Sequence, residues 1–471
     1  MDAPRPGFWK FLERNFIGDW GADSFSHRAC YSVLALINSS PLPRARRDVP
    51  RSRRRMNKQS LRICVCTSLE AVQEPRAPRH ATWLAQMSGD ISVVFVDSAP
   101  FGAERRPVRS LQGIGNLEWR THHYATRSST VARLIWDRAR QKLLRAKFTL
   151  TGSLGAGALS NRAFGLENVL IETAADIYLA HNLETLLPAW RAAKHRGARL
   201  VFDSMEFHSD MGDAQTQVDR RLVRAIEKRC LPDCALVLAA SDQIADALVQ
   251  EYGIRRPLAL YNVPSVESKI PAKLPHGLAL YWRNAVVGLG QRGLDEALVA
   301  LAQLPDDVTL HLQGRMPGDG GAALKARITA LKVNSRVFFH APYAPEDAVN
   351  EAAKHHVGLC LERKGNRNHD LTVSNKIFDY HMAGLAVIAS DLPGLRGVIE
   401  RSNGGLLFHP GSADDLAQKI SQLREDLSLR EKLARSAREF ALREGNRERD
   451  LEKFALAFRE AMPSLNYTKH V

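Results

Sequence analysis

The chain has 471 residues, 45% of them hydrophobic and 25% charged, which is the composition of a folded protein and excludes a collagen-like or disordered one. Lysine and arginine number 66 against 51 aspartate and glutamate, a net charge of +15 that favours an anionic partner: nucleic acid, phosphorylated metabolites or an acidic membrane surface. Six cysteines in a chain of this length do not make a disulfide scaffold and none has zinc spacing, so buried thiols in a reducing cytoplasm are expected.

Residues 1–60 read as a basic, partly flexible extension, since 39–60 are rich in Pro, Ser and Arg. Residues 1–55 carry +6 of the net charge and residues 105–147 carry +9, so the remainder sums to zero. The extension is either a dispensable leader or a membrane- or partner-binding arm bearing Trp9, Phe11, Phe16 and Trp20. Asp2, Glu13, Asp19 and Asp23 argue against a signal peptide, and no apolar run reaches the roughly 18 residues of a spanning helix.

From residue 61 the pattern becomes regular. Strands are expected at 62–67, 91–97, 176–180, 199–203, 235–240 and 258–261, with helices between them, notably at 186–195 and 219–231. Short, branched, apolar strands separated by helices indicate a parallel sheet covered on both faces, here an N-terminal Rossmann-like domain over 61–262. Within it, residues 119–147 mix Trp119, Trp136, Leu134, Leu143 and Leu144 with many Arg and Lys. They read as a basic amphipathic helix that either lies on an anionic membrane or packs on the sheet. The proline-bearing stretch 263–277 is an interdomain linker.

The pattern then restarts. Strands are expected at 278–282, 308–313, 336–340, 357–361, 386–390 and 405–408, with helices at 292–304, 321–332, 345–355 and 374–383, giving a second α/β domain over 278–440. The tail 441–471 is helical, with Leu451, Phe454, Ala455 and Phe458 at helix spacing, and is expected to pack back toward the first domain. Two such domains imply a cleft between the carboxyl ends of their sheets.

The most informative segment runs from Glu362 to Asp391. It leaves a strand at Glu362, crosses a polar loop with Lys364, Arg367, His369 and Asp370, and enters a helix near Ser374, which can cap it. The amides of Thr372 to Lys376 at the helix mouth suit a phosphate, Lys376 adds a positive charge, and Asp379 can accept hydrogen bonds from sugar hydroxyls.

The run Asp379-Tyr-His-Met-Ala-Gly384, followed by Ala386 to Asp391, Pro393-Gly394 and Gly404-Gly-Leu-Leu407, resembles the donor-binding signature of the retaining GT-B glycosyltransferases of family 4. That group includes sucrose synthases and bacterial polysaccharide glycosyltransferases. Their motif is Glu-x7-Glu; here Asp379 takes the second place and Leu371 the first, with Asp370 and Glu362 out of register. The resemblance implies that Asp379 binds the donor ribose and that the backbone at Leu371, Thr372, Val373 and Ser374 holds donor phosphate or sugar.

Two further matches support it. Tyr281 to Glu296 resembles the glycine-rich turn that opens the family's donor domain, with Gly290, Arg292 and Gly293 in place and Arg283 as another candidate for neutralising a diphosphate. His181-Asn182 and Asp203-Ser-Met-Glu206 stand where relatives commonly carry His-Asp and Asp-Ser-His-Glu, so His181 and Glu206 remain as polar groups for the cleft.

The resemblance implies an α/β protein of GT-B fold: two Rossmann-like α/β/α domains facing across a cleft, here with a basic N-terminal extension. It implies retaining transfer of a sugar from a nucleotide-diphosphate donor to a glycan or lipid-linked glycan acceptor in cell-surface polysaccharide synthesis. Arg292 and Lys376, with His181 and Glu206, form the expected catalytic set. No cofactor or metal is expected, the nucleotide sugar being a substrate, and no Asp-x-Asp pair stands ready to hold an ion. Nucleic acid is not an expected partner, for want of zinc spacing or an aromatic single-strand platform. The expected location is the cytoplasm, peripheral on the cytoplasmic face of the inner membrane. Leu371, Asn182 and Met205 leave a second reading open: a degenerate GT-B protein that binds a nucleotide sugar or a protein partner without catalysis.

Overall fold

Two parallel sheets organise the computed structural model, which describes residues 60–126, 131–212, 215–275, 277–290 and 292–462. The basic extension with its tryptophans, the side chain of Leu134 and the last nine residues lie outside the described residues.

The first sheet contains β1 (Leu61–Thr67), β2 (Ile91–Pro100), β3 (Leu117–Tyr124), β4 (Ile177–His181), β5 (Arg199–Ser204), β6 (Leu236–Ala239) and β7 (Leu258–Ala259), in the order β3-β2-β1-β4-β5-β6-β7. Ile63, Cys64, Val65 and Cys66 are all fully buried, because helices cover both faces and every position of the strand meets a core. The second sheet contains β8 (Leu278–Val286), β9 (Val308–Arg315), β10 (Val337–His340), β11 (Val357–Cys360), β12 (Ala386–Ser390) and β13 (Gly405–Phe408), in the order β10-β9-β8-β11-β12-β13. In each sheet the winding reverses beside its first strand, between β1 and β4 and between β8 and β11. Chain segments diverge at such a point, and a crevice opens at the carboxyl ends of the strands.

One expected element is corrected. Residues 117–124 are not part of a basic helix but strand β3, pairing in register from Leu117 opposite Val93 to Tyr124 opposite Pro100. Trp119 packs edge-on to Phe95, with ring centres 6.0 Å apart, and the Arg105 guanidinium lies 4.8 Å over it. Arg120, Thr121, His122 and His123 form a polar run without apolar alternation, so a count of basic and apolar residues over a longer window merges it with the helix that follows. The helix itself is Val131–Thr151. Leu144 packs on the first domain's core, while Ile135, Trp136 and Leu150 are exposed. Among the described residues no helix is long and apolar enough to cross a membrane.

The two sheets are linked by more than the 263–277 crossing. The helix Arg447–Ala461 follows the second domain's last helices yet buries Phe454 and Phe458 completely in the core of the first sheet, with Ile63, Val65, Phe95 and Trp83. His80 stacks on Phe454 with ring centres 5.1 Å apart. Asn446 caps this helix by accepting from the Arg449 amide, and Asp450 accepts from the Tyr261 amide at 3.1 Å.

Beneath the crevice, Arg76 donates to both oxygens of Asp203, from Nε at 2.6 Å and Nη2 at 2.9 Å, and from Nη1 to the Leu260 carbonyl at 2.6 Å. Burial opposes the charge on Asp203; Arg76, with His181 and His80 nearby, outweighs it and holds the carboxyl well below the usual carboxylate range.

Candidate functional site

A pocket of about 750 Å³ opens at the two switch points. Its lining includes Arg76 and Glu206 from the first domain and Arg283, Arg292, Ser374 and Lys376 from the second.

The turn after β8 delivers Arg292. Gly290 and Gly293 adopt φ of 74° and 70°, and Arg292 itself sits at 35°. A side chain at Gly293 would put its Cβ 2.5 Å from that of Leu361, so the close approach of this turn to β11 requires glycine. Arg292 thereby reaches back, donating from Nη1 to Glu362 Oε1 at 2.6 Å and to Ser374 Oγ at 3.3 Å. Trp282 Nε1 holds the Arg292 carbonyl at 3.2 Å.

Glu362, the residue after Leu361 at the end of β11, anchors this corner. Its amide and carbonyl both bond Ser390 Oγ at 2.7 Å, and its carboxylate faces Arg292, His369 Nε2 at 3.3 Å and Lys376 Nζ at 3.8 Å. Burial pushes this carboxyl up, but His369, Lys376 and Arg292 outweigh it and hold it down at about 2. Because the folded value is depressed, its contribution to stability is present above the usual glutamate range and is lost as pH falls toward 2.

Lys376 is only 5% exposed, and its ammonium makes no hydrogen bond. Besides Glu362 it has the Trp282 ring 5.7 Å away. Burial pushes its pKa down, and Glu362 opposes that shift. A buried ammonium without acceptors is costly, and an anion in the pocket would complete it. Replacing Glu362 by glutamine removes the opposing charge, so the lysine loses its proton at lower pH. Binding of inorganic diphosphate is therefore expected to be lost at lower pH in Glu362→Gln than in the parent, as measured by calorimetry across pH 6–10 in steps of about one unit.

Thr372, Val373 and Ser374 line the pocket, but the backbone there is already in use in part. The loop read as irregular contains a helical turn, Arg367–Leu371, capped by Asn366, whose side chain accepts from the His369 amide. As a result the Thr372 amide donates to the Asn368 carbonyl at 2.9 Å and is not open to a phosphate. Ser374 does not cap the next helix. That helix, Lys376–Met382, has Asn375 at its N-cap without a side-chain bond, and Ser374 gives its carbonyl to the Ile377 amide. Leu371 is turned away from the pocket lining; it packs against the first domain's core and its carbonyl accepts from Ser241 Oγ at 2.8 Å.

Asp379 pairs with Arg283 Nη2, while Arg283 Nη1 donates to the Tyr343 hydroxyl at 2.6 Å. Burial pushes the Asp379 carboxyl up and Arg283 opposes it. In this arrangement Asp379 aims Arg283 into the pocket. The Gly290 amide is taken by Asp295 Oδ2 at 2.9 Å, outside the pocket lining.

His181 is placed differently from its expected position at the cleft. It is the last residue of β4, wholly buried, with Nδ1 3.0 Å from Asp203 Oδ2, and the pocket lining does not include it. Glu206 does reach the pocket. Its Oε2 accepts from Asn368 Nδ2 at 2.7 Å and Thr372 Oγ1 at 3.3 Å, and Asn368 Oδ1 accepts from the Phe207 amide at 2.6 Å, joining the two domains across the crevice. Asn368, Tyr343 and Arg76 carried no signal in the sequence; Glu362 carried one, as an acid directly after a wholly apolar strand, which has to be matched by cations.

Among the described residues two groups of three side chains have the spacing to hold a cation: His80, His181 and Asp203, and His311, His340 and His355. Asp203 already gives both oxygens to Arg76, which leaves the first group little capacity for an ion.

The family described as "Glycosyl transferases group 1" matches residues 286–426, and that described as "Glycosyl transferase 4-like domain" matches residues 102–264. No curated protein matches. Anabaena HepE in complex with UDP is similar in structure at 17% identity and a TM-score of 0.61, covering 86% of this chain and 100% of its own. Sucrose-phosphate synthase from Thermosynechococcus elongatus is similar at 15% identity, TM-score 0.60, over 86% of this chain and 100% of its own. The lipopolysaccharide outer core galactosyltransferase WaaB is similar at 17% identity, TM-score 0.56, over 86% of this chain and 99% of its own. These likenesses are of fold, and the fold is GT-B.

Proposed function

Because the chain belongs to the group 1 glycosyltransferases, we propose that it moves a sugar from a nucleoside-diphosphate donor, with retention at the anomeric carbon, to a glycan or lipid-linked glycan. The observation that carries the donor reading is Lys376, an ammonium almost wholly buried and without a hydrogen bond, in a pocket shared with Arg283 and Arg292. Breaking the sugar–phosphate bond leaves a diphosphate while the sugar becomes oxocarbenium-like, and cations fixed in place stabilise that developing charge without reorganising. Arg292 is a fork able to meet two phosphate oxygens, and Lys376 is a point charge held almost wholly out of water. The UDP bound in the HepE structure is the kind of leaving group this constellation fits. In this reading Glu206, tied to Asn368 and Thr372, holds the two domains in the closed relation that brings donor and acceptor together.

Nucleotide release from a panel of UDP-, GDP- and TDP-sugars tests the proposal. Saturable turnover with one of them supports it; binding to none removes it.

The acceptor belongs to cell-surface polysaccharide synthesis at the cytoplasmic face of the inner membrane in this reading. Support comes from the helix Val131–Thr151, which exposes Ile135 and Trp136 at 49% each and Leu150 at 59% alongside exposed Arg138 and Lys147. Apolar side chains flanked by cations suit an anionic lipid surface. Trp136→Glu is expected to lower the fraction sedimenting with phosphatidylglycerol vesicles several-fold and to leave binding to neutral vesicles unchanged. Equal sedimentation of both proteins would remove the membrane role.

A further inference from the structure

Below the donor pocket three histidines from separate parts of the second domain converge. His311 lies in β9, His340 ends β10, and His355 follows the helix Ala348–Ala353. Their ring centres are 5.2 Å apart for His311 and His340, 4.6 Å for His311 and His355, and 6.1 Å for His340 and His355. Imidazoles bound to one tetrahedral ion at about 2 Å have their ring centres about 5 Å apart. One ligand nitrogen from each histidine lies within 4.8 Å of the others.

Contacts on the outer nitrogens select which ones face inward. Thr309 Oγ1 is 3.2 Å from His311 Nε2, which leaves Nδ1 for the cluster, 2.9 Å from His340 Nε2. The Ala352 carbonyl is 3.2 Å from His355 Nδ1, which leaves its Nε2. A ligating histidine commonly has its second nitrogen tied in this manner. His311 is 7% exposed and His355 3%, while His340 is half-buried and gives a path from solvent. Burial pushes all three below the usual histidine range, His311 to about 3 and His355 to about 4, so the imidazoles are neutral and have lone pairs to offer.

We propose that His311, His340 and His355 form a binding site for one divalent transition-metal ion of the zinc class, with water in the fourth position. The site lies outside the donor pocket and takes no part in the chemical step. It braces the pocket from below. Gln313, two residues beyond His311 on β9, lines the pocket and donates to the Ala341 carbonyl, immediately after His340. Tyr281 stacks on His355 with ring centres 4.4 Å apart and donates from its hydroxyl to Gln313 at 3.4 Å. The loop beyond Ala341 carries Tyr343, the partner of Arg283.

Untagged full-length protein, stripped with a chelator and dialysed, is titrated with Co(II) and separately with Zn(II). One equivalent of either metal is expected to bind, with the visible bands of four-coordinate cobalt and a rise of several degrees in Tm. His340→Ala, at a half-exposed position, is expected to fold, to lose the cobalt bands and to weaken binding by more than about tenfold, as is His340→Gln. His195→Ala, at an exposed histidine elsewhere, is expected to bind as the parent does. Absence of stoichiometric uptake, or uptake that is the same in both His340 variants, would overturn the proposal and leave His311 and His340 as a metal-free hydrogen-bonded pair. None of these readouts depends on sugar transfer.

Discussion

Turnover of a nucleotide sugar by Lys376→Met is expected to fall by about 10²–10³-fold, the effect of removing one fixed charge that stabilises a developing anion. Thermal stability is expected to be unchanged or higher. The ammonium is buried and makes no hydrogen bond, and Glu362 keeps its nearer partners, Arg292 at 2.6 Å and His369 at 3.3 Å, so removing the lysine relieves desolvation without leaving a buried charge unpaired. The two outcomes together separate a functional lysine from a structural one: a structural lysine would lose stability along with activity. Nucleotide release and a melting curve on the same preparation decide between them. Arg292→Ala is expected to lose turnover to a similar degree, since its guanidinium is half-exposed and its bonds to Glu362 and Ser374 orient it rather than seal a core.

Arg76→Ala is expected to destabilise the protein by about 3–5 kcal/mol, because it leaves Asp203 as a buried charge without its partner. Urea unfolding at neutral pH measures the loss. The difference between parent and variant is expected to shrink in acid. Asp203 has a depressed pKa in the parent, so its contribution is present above the usual aspartate range and disappears as pH falls; the variant has none to lose. Arg76→Met combined with Asp203→Leu is expected to recover most of the stability, since two apolar groups leave no charge unpaired.

Periodicity carried the architecture. The strands of both sheets were legible because buried parallel strands are nearly continuous apolar runs, as 386–390 and 405–408 are in β12 and β13. It failed at β3, an edge strand whose four consecutive polar residues, Arg120 to His123, leave no apolar run to read. The pocket's cations were legible from local spacing: Arg292 in a glycine turn and Lys376 at a helix start. What they bind within the protein was not. The contacts of Glu362 with Arg292, and of Glu206 with Asn368, join residues 70 and 162 positions apart. The backbone donors expected at 371–374 were partly used up by a single helical turn, Arg367–Leu371, too short for any hydrophobic period to reveal.

The helix Arg447–Ala461 changes what counts as a heritable unit in this molecule. The first sheet's core is closed by Phe454, Phe458 and Met462, which are encoded after the whole of the second sheet. A fragment ending near residue 262 would expose that apolar seam and is expected to be insoluble, whereas adding 446–462 as a separate peptide offers it the missing wall. Recombination that exchanges donor halves between relatives therefore carries over one wall of the other half's interior as well. A successful chimaera has two junctions, one before β8 and one before Asn446.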